Sequence, residues 1–279
     1  MFRIPLILLG LLGALILPTR SLPACTSILV TRSASATGSP MISYSCDGEF
    51  HPRLGLLPAA DYPAGAWYEI RGWDGVKGRI PQVPHTWKVV GLMNEHQLSL
   101  GETTFGGREE LMNPEGYFDY YPLMLVTLQR ARNAREAIDV FTSLAERWGY
   151  CGEGESISIA DTREVWLLEI VGTGKGGKPA WVALRIPDGM VCATANRSRI
   201  HTFPLNDPEN CRYSANVITH AEKMGYYQKS SGKPFSFSEA YNPPSTEQVR
   251  YSDRRIWSLW RRLSPSAKFS PEFSNGFGQ

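Results

Sequence analysis

An apolar run at the N-terminus determines where the folded part of this chain begins. Residues 2–19 hold one arginine followed by a long stretch dominated by Leu and Ile, and residues 20–24 (RSLPA) then end on a small residue. A short basic start, an apolar middle and a small residue at the cleavage point are typical of a secretory signal peptide. We therefore predict a signal peptide over residues 1–24 and one domain over residues 25–279. The protein is then secreted or exported, to an extracellular, periplasmic or lysosome-like compartment.

Cleavage after Ala24 makes Cys25 the first residue, so that a thiol and a free α-amino group share one residue. An N-terminal amine can take the proton of its own side chain, which completes a nucleophile with its base. The leader alone leaves two alternatives open: a disulfide, and lipidation, since residues 22–25 (LPAC) loosely resemble a bacterial lipoprotein box that Pro23 fits poorly. The apolar part of the leader is shorter than the roughly 20 residues that span a bilayer. We expect no stable membrane anchor after cleavage.

Composition indicates an ordinary globular protein. Hydrophobic residues make up 42% and charged residues 20% of the chain, enough for one large domain with a substantial core. The formal charge of +2 predicts no nucleic-acid partner. Five arginines between residues 250 and 262 share a helical spacing with apolar residues, which predicts a solvated helix face. No spacing typical of a zinc site occurs, so we predict neither a metal nor another cofactor.

The cysteine count favours a free thiol at the N-terminus of the mature chain. Five cysteines are an odd number, and export favours disulfides. Without Cys25 an even set remains, which is Cys46, Cys151, Cys192 and Cys211. Neither their pairing nor the oligomeric state follows from the sequence.

Strands, then helices, then strands again predict an α+β fold. Strands are predicted over residues 26–31, 41–46, 67–71, 88–94, 98–104, 156–160, 164–170, 180–186 and 190–195, the last four as an antiparallel meander. Helices are predicted over residues 121–132 and 135–148. Asn133 stands three residues before Glu136, which is the spacing of a capping box, and Gly149 is a natural helix end. Residues 230–248 predict a loop.

Several polar residues follow predicted strands and suit the chemistry of an N-terminal thiol. Such a thiol needs a group that holds the α-amine, donors for the oxyanion and a group that binds the substrate termini. Asp47, Asn94 and Asn196 each stand at the end of a predicted strand, and all three are also common turn formers. Arg199 is a candidate for binding a substrate carboxylate. Residues 196–198 (NRS) are a glycosylation sequon, which we predict to be unused if Asn196 lines a pocket.

Five blocks of the sequence carry a resemblance to a known family. They are CTSILV at the predicted mature start, SYSCDGE, PQVPHTWKVVGLMNEHQLSLGETTFGGREEL, GESISIADTREVWLLEI and ANRSRIHTFPLNDPENC. Together they resemble the secreted cysteine dipeptidases of the N-terminal nucleophile (Ntn) hydrolase superfamily. The resemblance extends from Cys25 to about residue 263.

The resemblance implies a fold and a set of roles. The fold is a four-layer αββα sandwich of antiparallel sheets flanked by helices, and the activity is hydrolysis of dipeptides without a metal. Cys25 corresponds to the nucleophile, and Asp47 to the carboxylate placed near its amine. Asn94 and Asn196 correspond to asparagines that support the oxyanion and the substrate. Arg199 is the weaker candidate for the substrate carboxylate.

The chain also departs from its relatives. Many related acylases carry an arginine three residues before this aspartate, and Tyr44 stands there in this chain. The thiol is then activated in another way, or another arginine such as Arg53 serves. Family members are commonly longer, so we expect a chain truncated at its C-terminus. An acylase of non-peptide amides and a lipid-anchored or secreted binding protein remain alternatives.

Overall fold

The computed structural model describes residues 24–47, 54–72 and 74–270. The predicted signal peptide up to residue 23 and the alternative arginine, Arg53, lie outside the described residues. Among the described residues, no helix is both long and apolar enough to cross a membrane.

The elements of secondary structure alternate much as the sequence predicts. In chain order the strands are β1 (Thr26–Val30), β2 (Met41–Ser45), β3 (Leu56–Leu57), β4 (Ala60–Asp61), β5 (Trp67–Gly72), β6 (Gly75–Pro81), β7 (His85–Thr86), β8 (Val89–Val90), β9 (Met93–Asn94), β10 (Ser99–Gly106), β11 (Gly154–Ala160), β12 (Val165–Val171), β13 (Ala180–Arg185), β14 (Val191–Thr194) and β15 (Cys211–Tyr213). The helices are α1 (Tyr120–Arg130), α2 (Ala134–Trp148), α3 (Val217–Lys223), α4 (Phe237–Tyr241), α5 (Thr246–Gln248) and α6 (Arg254–Leu263).

Two antiparallel sheets form the body of the protein. The smaller sheet has the order β14-β1-β2, and the larger has the order β15-β13-β12-β11-β10-β9-β8-β3. Every residue of β11 and β12 is buried, as expected for strands covered on both faces. The pairs β4 with β7 and β5 with β6 form two small outlying sheets.

Apolar clusters fill the spaces between these elements. One cluster joins α1 and α2 to the larger sheet, through residues such as Leu128, Phe141 and Leu168. A second joins the two sheets, with Leu29 of β1 and Leu167 of β12 among its members. A third packs Ile256 and Trp260 of α6 against Ala193 and Ala195, at β14. The chain is therefore an α+β protein of antiparallel sheets packed with helices, which is compatible with a sandwich.

Local signals place the two long helices well. The Asn133 side chain accepts the backbone N–H of Glu136 at 2.9 Å, which confirms the predicted helix start. Gly149 ends α2 with a φ of 82°, a left-handed value that glycine adopts without steric cost. Pro122 lies in the first turn of α1, where a missing N–H costs no helix hydrogen bond.

Three predictions from local pattern were wrong. The predicted strand over residues 88–94 is broken at Gly91, whose φ of 58° turns the chain so that β8 and β9 pair with each other. Strand β14 leaves the predicted meander and pairs with β1 in the other sheet. The predicted loop over residues 230–248 contains α4 and α5, because capping serines at positions 236 and 245 start short helices there.

Candidate active site

Cys25 lies at the start of β1, buried between the two sheets. The register of β1 and β2 pairs Thr26 with Ser45, so Cys25 and Cys46 occupy the next opposing positions. Their sulfur atoms are 3.3 Å apart, and both cysteines are reduced. The Cys25 Sγ also lies 4.0 Å from Oε1 of Glu102, a residue of β10 that is 1% exposed.

Cys25, Cys46 and Glu102 form a group that we call the thiol–carboxylate cluster. Their donor atoms all lie within 4.8 Å of one another. Within the part of the chain that the structure describes, this is the one group of three His, Cys, Asp or Glu side chains whose possible ligand atoms lie this close together. The Tyr44 hydroxyl donates a hydrogen bond to Glu102 Oε1 and so fixes the carboxylate in place.

The surroundings of the cluster disfavour further negative charge. Burial, followed by the charge of Glu102, raises the pKa of the Tyr44 hydroxyl. Burial and the Glu102 charge also raise the pKa of Glu155 well above its usual range. Burial raises the pKa of Cys46 as well. A proton on any of these groups is therefore favoured over an additional anion.

The same causes hold the Cys25 thiol in its neutral form. Burial first, then the Glu102 charge and the neighbouring Cys46 thiol, raise the pKa of Cys25 to about 12, although a hydrogen bond from the Asp47 backbone opposes them. Ala24 precedes Cys25 here, so that the Cys25 nitrogen is an amide and carries no charge. In this form the thiol is protonated at neutral pH.

Arg255 of α6 joins the parts of the site. Its Nη1 donates to the Cys25 carbonyl at 2.7 Å and to the Thr26 hydroxyl at 3.0 Å. Its Nη2 donates to Asn196 Oδ1 at 2.8 Å, and its Nε to the Tyr251 carbonyl at 2.9 Å. The prediction of a solvated arginine face is therefore wrong for this residue, whose half-buried guanidinium has its pKa lowered by burial.

Asn196 lies just after β14 in a backbone conformation that few residues adopt. Its φ of 51° falls in the left-handed region, which asparagine tolerates better than most side chains. The Asn196 Nδ2 donates one hydrogen bond to the Thr104 carbonyl at 2.6 Å. The backbone carbonyl of Asn196 accepts a hydrogen bond from the Ser252 hydroxyl at 3.1 Å. The residue is 4% exposed, so the fold holds its amide beside Arg255 and the start of β1.

Asp47 follows Cys46 and is exposed at the edge of the site. Its backbone is hydrogen-bonded to the Cys25 sulfur, and its carboxylate charge acts on Arg255. The structure thus brings Asp47 to the site together with Cys25 and Asn196. Its role in holding an α-amine stays a prediction.

Asn94 is a correction to the sequence-based site. Both hydrogens of its Nδ2 go to backbone carbonyls at the end of α1, Leu128 at 2.8 Å and Ala131 at 2.7 Å. Its Oδ1 accepts the backbone N–H of Leu98 at 3.2 Å. Leu98 precedes Glu102 by four residues, which corresponds to about 13 Å along a strand. Asn94 therefore ties a turn to a helix end and has no amide hydrogen left for an oxyanion.

Arg199 is a second correction. Its side chain is wholly buried, and its Nη1 donates to Asp253 Oδ1 at 2.8 Å. Arg197 pairs with the other oxygen of Asp253. The backbone N–H of Arg199 also donates to Oε1 of the buried Glu169 at 2.6 Å. We call Arg197, Arg199, Asp253 and Glu169 the ion network. It anchors the segment after β14 to the start of α6, and it leaves the Arg199 guanidinium no access to a substrate.

Comparison with known proteins agrees with the resemblance in the sequence. Residues 24–275 match the sequence model of Peptidase family C69. The chain belongs to this family. It is 26% identical over 273 residues to a protein of Latilactobacillus sakei named probable dipeptidase, a match that covers 91% of this chain and 56% of the relative.

Other members of the C69 family give the same picture. A probable dipeptidase of Salmonella dublin is 25% identical over 87% of this chain and 58% of its own length. A dipeptidase of Bifidobacterium longum is 22% identical over 87% of this chain and 51% of its own length. The chain thus spans a little over half the length of the curated relatives it matches.

An apolar cavity of about 410 Å³ lies next to the site of this C69 chain. Tyr44 and Cys46 form one side of it. The remaining lining residues are mostly large and apolar: Leu54, Gly55, Leu57, Gly91, Leu92, Tyr120, Tyr121, Met124 and Leu125. A cavity of this size and character suits a single apolar side chain with its adjoining backbone.

Sequence reasoning missed two residues that this C69 site contains. Glu102 carried one usable signal, a charged residue inside a strand that otherwise alternates apolar and small residues. Arg255 carried none, because its spacing among five arginines is that of a solvated helix face. Only the packing of α6 on β14 turns its side chain toward Cys25.

Proposed function

We propose that this chain is a cysteine-type dipeptidase that uses Cys25 as an N-terminal nucleophile. The observation that carries the proposal is the bridge made by Arg255 between the Cys25 carbonyl and the Asn196 amide. It fixes the first residue of the predicted mature chain beside a side-chain amide donor. Membership of the C69 family and the names of the relatives support the same activity.

The arrangement of the layers supports an Ntn-type fold. Helices α1 and α2 contact the larger sheet, which packs on the smaller sheet, and α6 packs on the smaller sheet through β14. This helix–sheet–sheet–helix order is the one that an αββα sandwich requires. In it the nucleophile stands at the start of the central strand of the smaller sheet.

Removal of the leader supplies the base. A free α-amine has a pKa near ~8, so it can accept the thiol proton around neutral pH. The sulfur then attacks the peptide carbonyl of the dipeptide, and the ammonium gives its proton to the leaving amine. The C-terminal amino acid leaves as this amine, and water then hydrolyses the thioester, which releases the N-terminal amino acid and restores the thiol. In this proposal the Asp47 carboxylate holds the amine during these steps.

The amide of Asn196 is the donor that we assign to the oxyanion. Asparagine carries two N–H donors, and the Thr104 carbonyl takes one of them at 2.6 Å. Arg255 holds the Asn196 oxygen at 2.8 Å, which directs the amide nitrogen away from the guanidinium. A fixed donor of this kind stabilises the tetrahedral intermediate without reorganising during the reaction.

The apolar cavity beside Tyr44 and Cys46 provides the specificity of the proposed enzyme. Its lining residues can bury a large apolar side chain of the substrate, and full burial of such a side chain contributes about 1.5–3 kcal/mol. We therefore expect dipeptides with a leucine, methionine or phenylalanine residue to be preferred over those with charged residues at that position.

The test compares two forms of the protein that differ by one residue. One starts at Cys25, and the other retains Ala24 so that the amine becomes an amide. Both are assayed against a panel of dipeptides and N-acyl amino acids, with Cys25→Ala as the inactive control. Dipeptide hydrolysis by the first form only is the expected result. Equal turnover by both forms would overturn the N-terminal mechanism, and hydrolysis of N-acyl amino acids alone would overturn the dipeptidase assignment.

A further inference from the structure

The thiol–carboxylate cluster has the composition of a soft-metal site. We propose that Cys25, Cys46 and Glu102 bind a thiophilic divalent cation such as Zn²⁺. A bound cation takes up the Cys25 sulfur and so inhibits the enzyme reversibly, a consequence that rests on the proposed function, whereas the binding itself does not.

The distances between the donor atoms are close to those of a tetrahedral zinc site. Zinc bonds of ~2.3 Å to sulfur and ~2.0 Å to oxygen place two sulfur ligands about 3.8 Å apart and sulfur and oxygen about 3.5 Å apart. Here the two sulfur atoms are 3.3 Å apart, and Glu102 Oε1 lies 4.0 Å from the Cys25 Sγ and 3.7 Å from the Cys46 Sγ. Rotations of the two thiols that change these distances by about 0.5 Å complete three corners of a tetrahedron.

The carboxylate is held ready for a cation. Glu102 is 1% exposed, and its side chain shares a hydrogen bond with the equally buried Glu155, which helps to raise the pKa of Glu155. The Tyr44 hydroxyl donates to Oε1, a contact of the kind that orients metal-ligating carboxylates. Both carboxyl groups are shielded from water, so a cation at Glu102 does not compete with hydration of the carboxylate.

Charge also favours a divalent cation in this place. Two thiolates and one carboxylate carry three negative charges, so the complex has a net charge of −1, and the Arg255 guanidinium beside the Cys25 carbonyl partly offsets it. Binding releases two thiol protons to solvent, which makes the apparent affinity rise with pH. Two sulfur ligands select soft ions such as Zn²⁺ over Ca²⁺ and Mg²⁺, which prefer oxygen ligands.

Cobalt provides a direct test, because Co²⁺ bound by thiolates gains a charge-transfer absorption in the near ultraviolet. The purified protein, reduced and free of chelators, is titrated with Co²⁺ and then with Zn²⁺. We expect one equivalent of Co²⁺ to give the absorption and Zn²⁺ to remove it. Cys46→Ser should abolish the band, and the matched control Cys211→Ser, a buried thiol on β15, should retain it.

Glu102→Gln keeps both thiols and tests the third ligand. We expect it to weaken cobalt binding by at least about tenfold. The metal site is overturned if folded protein, verified by circular dichroism, shows no charge-transfer band, or if Cys46→Ser keeps the full band. Dipeptide turnover is measured separately with and without Zn²⁺. A protein that gives the cobalt charge-transfer band but hydrolyses no dipeptide would overturn the dipeptidase proposal and support the metal site.

Discussion

Two buried polar groups lie on either side of the segment after β14, and they differ in how completely their charges are paired. In the ion network, Asp253 pairs with both Arg197 and Arg199, and Glu169 accepts hydrogen bonds from two backbone N–H groups and two serine hydroxyls. In the thiol–carboxylate cluster, Glu102 accepts the Tyr44 hydroxyl, contacts the two thiols and shares a hydrogen bond with the buried Glu155. In the ion network each acidic side chain meets guanidinium groups or several hydrogen-bond donors and holds the backbone in place. The three side chains of the thiol–carboxylate cluster include no cation.

The comparison yields a simple rule for this molecule. Changes in the ion network should alter stability, because they leave a buried charge without its partner. Changes at the two thiols of the thiol–carboxylate cluster should alter chemistry, because these thiols make only weak contacts. Each prediction below tests one side of that division.

The largest effect is expected for Cys25→Ala. Loss of the nucleophile should lower kcat/KM by at least about 1000-fold. The free energy of unfolding should change little, since the thiol makes only weak contacts. Kinetics on a good dipeptide and urea denaturation of the same preparation measure both quantities. The control Cys211→Ala removes an equally buried thiol and should keep its activity; a comparable loss in that variant would break the division.

Asp253→Ala should have the largest effect on stability. This substitution leaves the buried guanidinium groups of Arg197 and Arg199 without their carboxylate partner, so we expect a loss of about 3–5 kcal/mol in the free energy of unfolding. The matched control is Asp139→Ala, which breaks an ion pair with Arg212 on the surface, where Asp139 is 70% exposed. That variant should cost less than about 1 kcal/mol. Similar losses in the two variants would show that the network stabilises no more than a surface pair.

Substitutions of Asn196 and Asn94 should differ in the same way: the first should affect catalysis and the second should affect stability. Asn196→Gly removes the amide without backbone strain at a φ of 51°, and kcat should fall by about 100-fold or more. Asn94→Ala leaves two buried carbonyls unpaired and should cost about 1–3 kcal/mol of stability. Its effect on kcat should be small under conditions where it is folded. A kcat loss in Asn94→Ala that matches Asn196→Gly would return Asn94 to the site.

The smallest effect concerns the pH dependence of the thiol. With Ala24 attached, the Cys25 pKa of about 12 leaves little thiolate at pH 7, and alkylation by iodoacetamide should accelerate tenfold per pH unit into the alkaline range. An ammonium on the same residue favours the thiolate, so the form that starts at Cys25 should react at least about tenfold faster at pH 7. Rates are corrected with Cys25→Ala. Identical profiles for the two forms would mean that the amine does not influence the sulfur.

Local sequence patterns predicted where helices and strands begin and end better than they predicted which elements pack or pair with one another. The capping pair Asn133 and Glu136 fixed a helix start, because the hydrogen bond spans only three residues. The sheet that β14 joins did not follow from its own sequence, since a strand of four small or apolar residues can pair in either sheet. Gly91 shows that local patterns can also fail at short range. Its positive φ divides residues 88–94, which the sequence predicts to be one strand, into β8 and β9.

The site was predictable in its thiol and only partly in its surroundings. Cys25 followed from the leader, and Asp47 from its place at the end of the paired strand. Asn94 and Asn196 have the same position at a strand end, yet one binds helix carbonyls and the other binds Arg255. Which partner an asparagine finds depends on contacts between distant segments, and those are absent from a local pattern.

The hydrogen bond from Arg255 to the Cys25 carbonyl joins residues 230 positions apart. A ribosome delivers the chain from its N-terminus, so the thiol emerges long before the helix that fixes it. A copy whose synthesis stops before α6 has the Cys25 thiol without Arg255 and without the hydrogen bond that holds Asn196. The reactivity proposed for Cys25 therefore requires that the polypeptide be completed through α6.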